Sequence, residues 1–528
     1  MVTLEAGEIE RKEESGPVTA DGLLRRRARQ RPGAAALTDP QNREALGLGR
    51  PRALSYGETD GAVDVLASYF VDLGLMPGNR IAVQLPNVTE HALVLLAAWR
   101  AGLSVVALPM LWRGAEIAKV CAEGAPLALI GVASFEGDAR AEDLCRIAVS
   151  ELAVRFVLGF GDGLPDGVTP LDEVIDAGRR GLHAPVSRSL AGPALVTFTA
   201  RAGQPFLPVF RTEDALLAQG AMTVMALGLD RGDVILNPYP LTGQAGLSLG
   251  LAPWLISGAG LALHQPFDYA AFVQQVLETG ATVTALPAPI RSELARDGVL
   301  QRPHCRLRRL GCVWPASHLA ESAPTPAAAL ASYFDLYPLG DVASLVMRRG
   351  LRSDPSELPL GPVHSGENGA GAVFVETRLG AADELSLRGP VVSHGSLNGP
   401  LAPDADGFVG TGLHATTDGP GIKLKRDPEL IQHGGFAVAA SELDALYQSY
   451  PGFLDAACFT LPDPILGDRI FAGIVPRPDA AISLEALHAF LSAREIAPYK
   501  FPDRLLEVRE IPRDAKGRVL REEILKNV

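Results

Sequence analysis

Short apolar runs that alternate with amphipathic ones along most of the chain limit its fold more than any other feature. Ser55-Tyr-Gly-Glu58 forms a capping box, and Val63, Leu66, Ala67, Phe70 and Leu73 then recur at helical spacing before Gly74. Residues 80–85 alternate as a strand, Asn87 and Glu90 open a second helix that ends at Gly102, and residues 103–108 read as another strand. Strand, helix, strand in that order is a βαβ unit. Similar runs at residues 234–236, 282–286 and 373–375 extend the pattern, so an α/β body with largely buried sheets is expected. At 528 residues the chain exceeds one ordinary core, and an apolar content of 47% is enough to fill two or more.

After Pro420 the texture changes. A short strand, Ile422-Lys-Leu-Lys, runs into Lys425-Arg-Asp-Pro-Glu429, whose composition disfavours continued regular structure and marks a hinge. Beyond it the pattern predicts a helix near residues 441–447 and strands around 456–460 and 469–475. A helix through Leu484, Leu487, Phe490 and Leu491 and a last strand near 504–508 follow. The expected organisation is a large N-terminal multi-sheet α/β domain over residues 1–426 and a small α+β domain over 427–528, with Pro428 stiffening the joint.

A net charge of −13 gives no electrostatic case for a nucleic-acid partner, which would want a basic face. The five cysteines form no CxxC pair and the ten histidines no HxxxH, so neither structural zinc nor a disulfide framework is expected. The first fifteen residues carry five glutamates and no apolar core for a signal peptide, and a cytoplasmic setting is expected. Residues 246–263 are uncharged but broken by Pro253 and several glycines, and read as a buried helix and strand rather than a membrane span. Within them Gly246-Leu-Ser-Leu-Gly250 satisfies GxSxG, which keeps a serine hydrolase built on Ser248 as a remote alternative.

Residues 194–211, ALVTFTARAGQPFLPVFR, carry most of the functional information. The strand-like start and the Thr212-Glu-Asp helix opening are the flanks of a phosphate-binding loop. The middle has only Thr199 as hydroxyl, Arg201 as cation and Gly203 as glycine, whereas such loops use several glycines, hydroxyls and a lysine.

The segment resembles the TSGTTGxPKG loop of the adenylate-forming superfamily, the acyl- and aryl-CoA synthetases. Gly203 and Pro205 match and Thr199 stands in for serine, while Ala200, Arg201, Ala202 and Phe206 replace a glycine, two threonines and the lysine. The similarity runs from about Leu54 to Leu520. Pro77-Gly-Asn-Arg-Ile-Ala-Val-Gln-Leu-Pro-Asn resembles PGDRVAVxLPN, and Glu384-Leu-Ser-Leu-Arg-Gly-Pro resembles ELxxRGP. Gly434-Gly-Phe with Ser441-Glu-Leu-Asp resembles GGxNxxPxEIE.

The resemblance implies AMP-forming activation of a carboxylate by ATP and magnesium, followed by transfer to coenzyme A, with the small domain rotating between the two steps. Carried over residue by residue, it implies nucleotide contacts from Thr199, Arg201, Gly203, Tyr337 and Arg426, and a magnesium ligand in Asp341 of Leu336-Tyr-Pro-Leu-Gly-Asp341, which stands for YGxTE. Arg518 falls on the catalytic lysine, with Lys516 as substitute. Tyr239, Leu241 and Trp314 fall in the acyl pocket, or are plain core, and would suit an alicyclic, aromatic or medium-chain acid. Gly434, Gly435 and Phe436 fall in the coenzyme A channel.

Three departures concern ATP. The ribose aspartate of TGD is Leu413, which accepts no hydrogen bond; Asp418 and His414 are candidate replacements. The loop lysine is Phe206, and the catalytic lysine is Arg518, a planar fork in place of a point charge. Weak or lost adenylation is therefore expected. A non-catalytic acyl- or acyl-CoA-binding or regulatory protein on the ligase fold is the main alternative.

Overall fold

The structure is a computed structural model that describes residues 18–178, 188–190, 192–315, 331–349, 357–364, 371–395, 401–417, 421–478, 481–524 and 526. It is an α/β protein with a large multi-sheet N-terminal domain and a smaller C-terminal one. The predicted capping box forms: Ser55 Oγ accepts from Glu58 N at 3.3 Å and Glu58 Oε2 accepts from Ser55 N at 2.8 Å, starting the helix Tyr56–Asp72. Arg80–Val83, Thr89–Arg100 and Ser104–Ala107 then make the expected βαβ unit, and its two strands pair in parallel. All twelve residues of the Thr89–Arg100 helix are buried, which explains its near-continuous apolar sequence.

Two sheets form the body. The seven-stranded one runs Val168–Pro170, Phe156–Phe160, Ala128–Val132, Arg80–Val83, Ser104–Ala107, Leu195–Arg201 and Gln204–Arg211, parallel except for its last pair. The eight-stranded one has a parallel centre that includes Val234–Asn237, Val283–Leu286 and Arg309–Val313, and antiparallel strands at both edges. A six-stranded antiparallel sheet containing Glu384–Arg388, Val409–Thr417 and Gly421–Leu424 completes the large domain.

The apolar run 246–263 folds as short, buried helical segments, Leu247–Leu251 and Ala252–Ser257, followed by the strand Gly260–Leu263. Among the described residues no helix is long and apolar enough to cross a membrane. The hydrolase alternative loses its geometry here. Ser248 is fully buried inside this helical stretch, where its carbonyl accepts from Thr223 Oγ1 at 2.8 Å, whereas an elbow serine stands exposed at a strand-to-helix turn.

The small domain packs Ala440–Gln448 and Leu484–Ala493 on a sheet built from Phe436–Ala439, Leu430–His433, Gly467–Pro476, Phe453–Asp463 and Arg504–Glu507. Residues 425–429 connect it to the large domain, with Lys425 and Asp427 near Asp383 and His414 of the large domain and Arg426 and Glu429 bonded to the small one. Arg426 Nε donates to Asp468 at 2.9 Å and Arg521 Nε donates to Glu429 at 2.8 Å. The small domain is docked face-on. Lys500 reaches Glu116 of the large domain at 2.9 Å and Glu442 of its own at 3.0 Å, all three largely buried, and Ala497 N donates to the same Glu116.

Candidate functional site

The first surprise is local. Residues 195–211 do not form an open loop but a β-hairpin, with Thr197 opposite Val209, Thr199 opposite Leu207 and Arg201 opposite Gln204. Only Ala202 and Gly203 make the tip, and Gly203 supplies the positive φ of 71° that so short a turn requires. Pairing of the two strands engages backbone groups that a phosphate loop would turn toward its anion.

Arg201 is engaged as well. Its Nη2 donates to the carbonyl of Gly410, Nη1 lies 3.7 Å from Glu384 Oε1, and the stem covers Gly412. Leu413, at the ribose position, packs with Ala200 of the hairpin and with Leu430, Ala437 and Ala439 of the small domain, an apolar seam between the two domains. Gly340 passes so close to Thr411 that an added Cβ would sit 2.0 Å from its carbonyl oxygen, which explains why no threonine side chain stands there. Tyr337 is 1% exposed and stacked on Trp314 at 6.3 Å, so its ring offers no open face to a base. The ribose side of the nucleotide region is a cleft of about 30 Å³ lined by Pro315, Leu413, His414 and Arg426 among others, whereas Thr199 and Asp341 face a larger space. Arg426 is tied to Asp468 and Thr460. Asp418 lies outside the described residues.

Next to this closed region lies a cavity of about 410 Å³ at the domain interface. Its walls are aromatic. Phe206, at the loop-lysine position, stacks on Phe198 at 4.4 Å and against Trp112 at 5.8 Å, and Lys119 sits over its ring. Phe436 and Tyr499 of the small domain stack at 4.3 Å and pack in the same apolar cluster. Tyr239, Trp314, Thr199, Asp341, Gly434, Gly435 and Phe436 all line this space, so the structure brings these candidates together, while Leu241 is fully buried core behind it. Arg518 and Lys516 lie elsewhere, on an exposed turn where Arg518 Nε donates to Asp514 at 2.7 Å. The GG corner faces the cavity and the Arg518 turn does not.

Sequence reasoning missed Arg211, a cavity-lining guanidinium only 3% exposed. Its Nη2 donates to the backbone carbonyl of Asp341 and to Thr197 Oγ1 at 3.3 Å, and Nη1 donates to Ser393 Oγ at 3.2 Å. Burial pulls its pKa down to about 10, partly offset by the Asp341 charge. The available signal was the strand alternation, which puts Arg211 on the same buried face as Val209. Asp341 is held at a φ of 57°, and burial raises its carboxyl above the usual range, with Thr199 and Arg211 acting in the other direction.

At the positions that the resemblance gives to ATP and magnesium the side chains differ from those of the family pattern. The triphosphate would meet paired strands and a tethered Arg201, the ribose would meet Leu413, and a cation at Asp341 would stand beside the Arg211 guanidinium. Among the described residues no cluster of metal-ligating groups forms. At Gly434 and Gly435 the corner of the cavity is open, since a Cβ added to either residue would meet no heavy atom within 4 Å.

Comparison with known proteins agrees with the architecture. The chain is 28% identical to a 2,3-dihydroxybenzoate-AMP ligase of Bacillus subtilis over 88% of its length and 87% of the relative's. It is 27% identical to a salicylyl-CoA synthase / salicylate adenylyltransferase of a Streptomyces species (88% and 87%). It is 26% identical to a 4-coumarate–CoA ligase of Oryza sativa subsp. japonica (92% and 92%). An o-succinylbenzoate CoA synthetase of Bacillus subtilis, solved with a product analogue, superposes with a TM-score of 0.74 at 18% identity, covering 96% of this chain and 98% of the other, a likeness of fold. The AMP-binding enzyme family matches residues 24–335 and its C-terminal domain residues 442–518, and this chain belongs to that family.

Proposed function

We propose that this chain binds an aryl or related carboxylic acid in the interdomain cavity and has lost ATP-dependent adenylation. One observation carries the reading: a cavity of about 410 Å³ walled by Phe198, Phe206, Trp314 and Phe436 persists beside a phosphate-loop position zipped into a hairpin. Adenylation needs preorganised donors around developing phosphate charge, and loss of one such donor costs about a hundred- to a thousandfold in rate. Here a phenylalanine replaces the loop cation and an arginine the catalytic lysine. The acyl side is intact in volume and aromatic in character, which suits ring acids of the kind named for the relatives, salicylate, 2,3-dihydroxybenzoate and 4-coumarate.

The pantetheine arm of coenzyme A would lie along Gly434, Gly435 and Phe436, and coenzyme A would supply a thiol at the cavity mouth. Five cysteines without a disulfide support a cytoplasmic location. The test pairs binding with turnover: salicylate and 4-coumarate are titrated by tryptophan fluorescence, and AMP release is followed with ATP, magnesium, acid and coenzyme A present. Saturable acid binding without AMP release supports the reading. Sustained AMP release that depends on the acid would refute it.

A further inference from the structure

We propose that Arg211 is a carboxylate anchor that makes the cavity a receptor for the free anionic acid rather than for its neutral derivatives. The inference rests on the reading of the cavity as an aryl-acid site and assigns the group that recognises the acid's charged end.

Two cations line the cavity wall, and they differ in what already neutralises them. Lys500 has Glu116 at 2.9 Å and Glu442 at 3.0 Å. Arg211 has only neutral acceptors: the Asp341 carbonyl, Thr197 and Ser393. Among the described residues no carboxylate lies within 4.0 Å of its guanidinium, and its Nε is buried without a hydrogen-bond partner. A buried charge without a contacting counterion is costly, and the Asp341 carboxylate acts on Arg211 only from beyond ion-pair distance, so a cation kept at 3% exposure against a cavity is placed to take an anion from outside the chain.

Both Nη2 protons and one on Nη1 are taken by Asp341, Thr197 and Ser393, which leaves an Nη1 N–H for a single charge-assisted hydrogen bond to a carboxylate, and the aromatic walls account for the rest of the ligand. Tyr239 adds a polar contact, since its hydroxyl is buried without a partner and the residue lines the same space. Such an ion pair stabilises the acid in its ground state. A carboxylate held this way is a poorer nucleophile, in keeping with a binding role.

The test compares salicylate and 4-coumarate with their primary amides, read by tryptophan fluorescence, on the native chain, Arg211→Gln and Arg211→Lys. The native chain is expected to prefer acid over amide by about ten- to a hundredfold, the range of a charge-assisted hydrogen bond. Arg211→Gln should erase that preference while amide binding persists, and Arg211→Lys should restore part of it. Equal binding of acid and amide by the native chain, or an acid preference that survives Arg211→Gln, overturns the anchor and leaves the aromatic cavity as a ligand site. Failure of all four probes on the native chain overturns both. If Arg211→Gln loses amide as well as acid, folding is at fault and Arg211→Lys decides: a retained acid preference supports the anchor, and its loss alongside normal amide binding overturns it.

Discussion

At one end of the interdomain cleft Arg201, Leu413 and Arg426 are each held by protein partners, and the space left is about 30 Å³. At the other end Phe206, Trp314 and Phe436 line about 410 Å³. Both ends are built from positions that the family resemblance assigns to ligands. Thr199 and Asp341, which the resemblance gives to phosphate and magnesium, belong to the wide end, so the part that the protein's own side chains fill is the ribose side. The substitutions at the closed end are mutually consistent: the arginine that replaces a loop threonine bonds the segment that carries the ribose position, and the leucine there seals the domain interface.

The comparison breaks most visibly through the contact that holds the small domain over the open end. Lys500→Met would leave Glu116 and Glu442 buried without a counterion and is expected to cost about 3 to 5 kcal/mol, read by urea unfolding. Burial lowers the pKa of Lys500, but Tyr499, Glu116 and Glu442 together outweigh it and raise the value above 10.5. The stabilisation is therefore complete below the unfolded value of about 10.4 and fades as pH rises through the higher folded value. A native chain that loses no stability to that pH change would contradict this.

At the closed end Gly340→Ala places a methyl 2.0 Å from the Thr411 carbonyl at a φ of 57°. A loss of about 2 to 4 kcal/mol is expected in thermal unfolding. Leu413→Asp returns the missing ribose acceptor, yet it puts a carboxylate against Ala200, Leu430 and Ala439. It should cost about 1 to 3 kcal/mol and recover no ATP affinity, because the hairpin stays closed. The smallest effect sharpens the contrast without mutation. Amides of Thr199 and Leu207, paired in the hairpin, should exchange hydrogen more slowly than that of Gly435 in the open corner, and equal rates would argue for an open loop.

The fold was legible wherever the signal is local and periodic. The Ser55 capping box, the helix Tyr56–Asp72 and the C-terminal helix Leu484–Ala493 lie within a residue or two of where spacing puts them. The hairpin at residues 195–211 was partly legible, since Phe206, Val209 and Phe210 favour strands and Gly203 suits a two-residue turn; matching the segment to a loop pattern concealed it. The rest depended on distant contacts. Leu413 reads as a lost acceptor until Leu430 and Ala439 pack on it, and Tyr337 reads as a base platform until Trp314 covers it.

The central claim, that the ribose side of the nucleotide site is filled and ATP is no longer bound, is tested most directly by calorimetric titration of the full chain with magnesium-ATP beside its Arg201→Ala variant. The account predicts no binding heat up to millimolar ATP for the native chain, with aryl-acid binding intact in the same preparation. Micromolar ATP binding that disappears in Arg201→Ala would contradict it and make Arg201 a phosphate ligand.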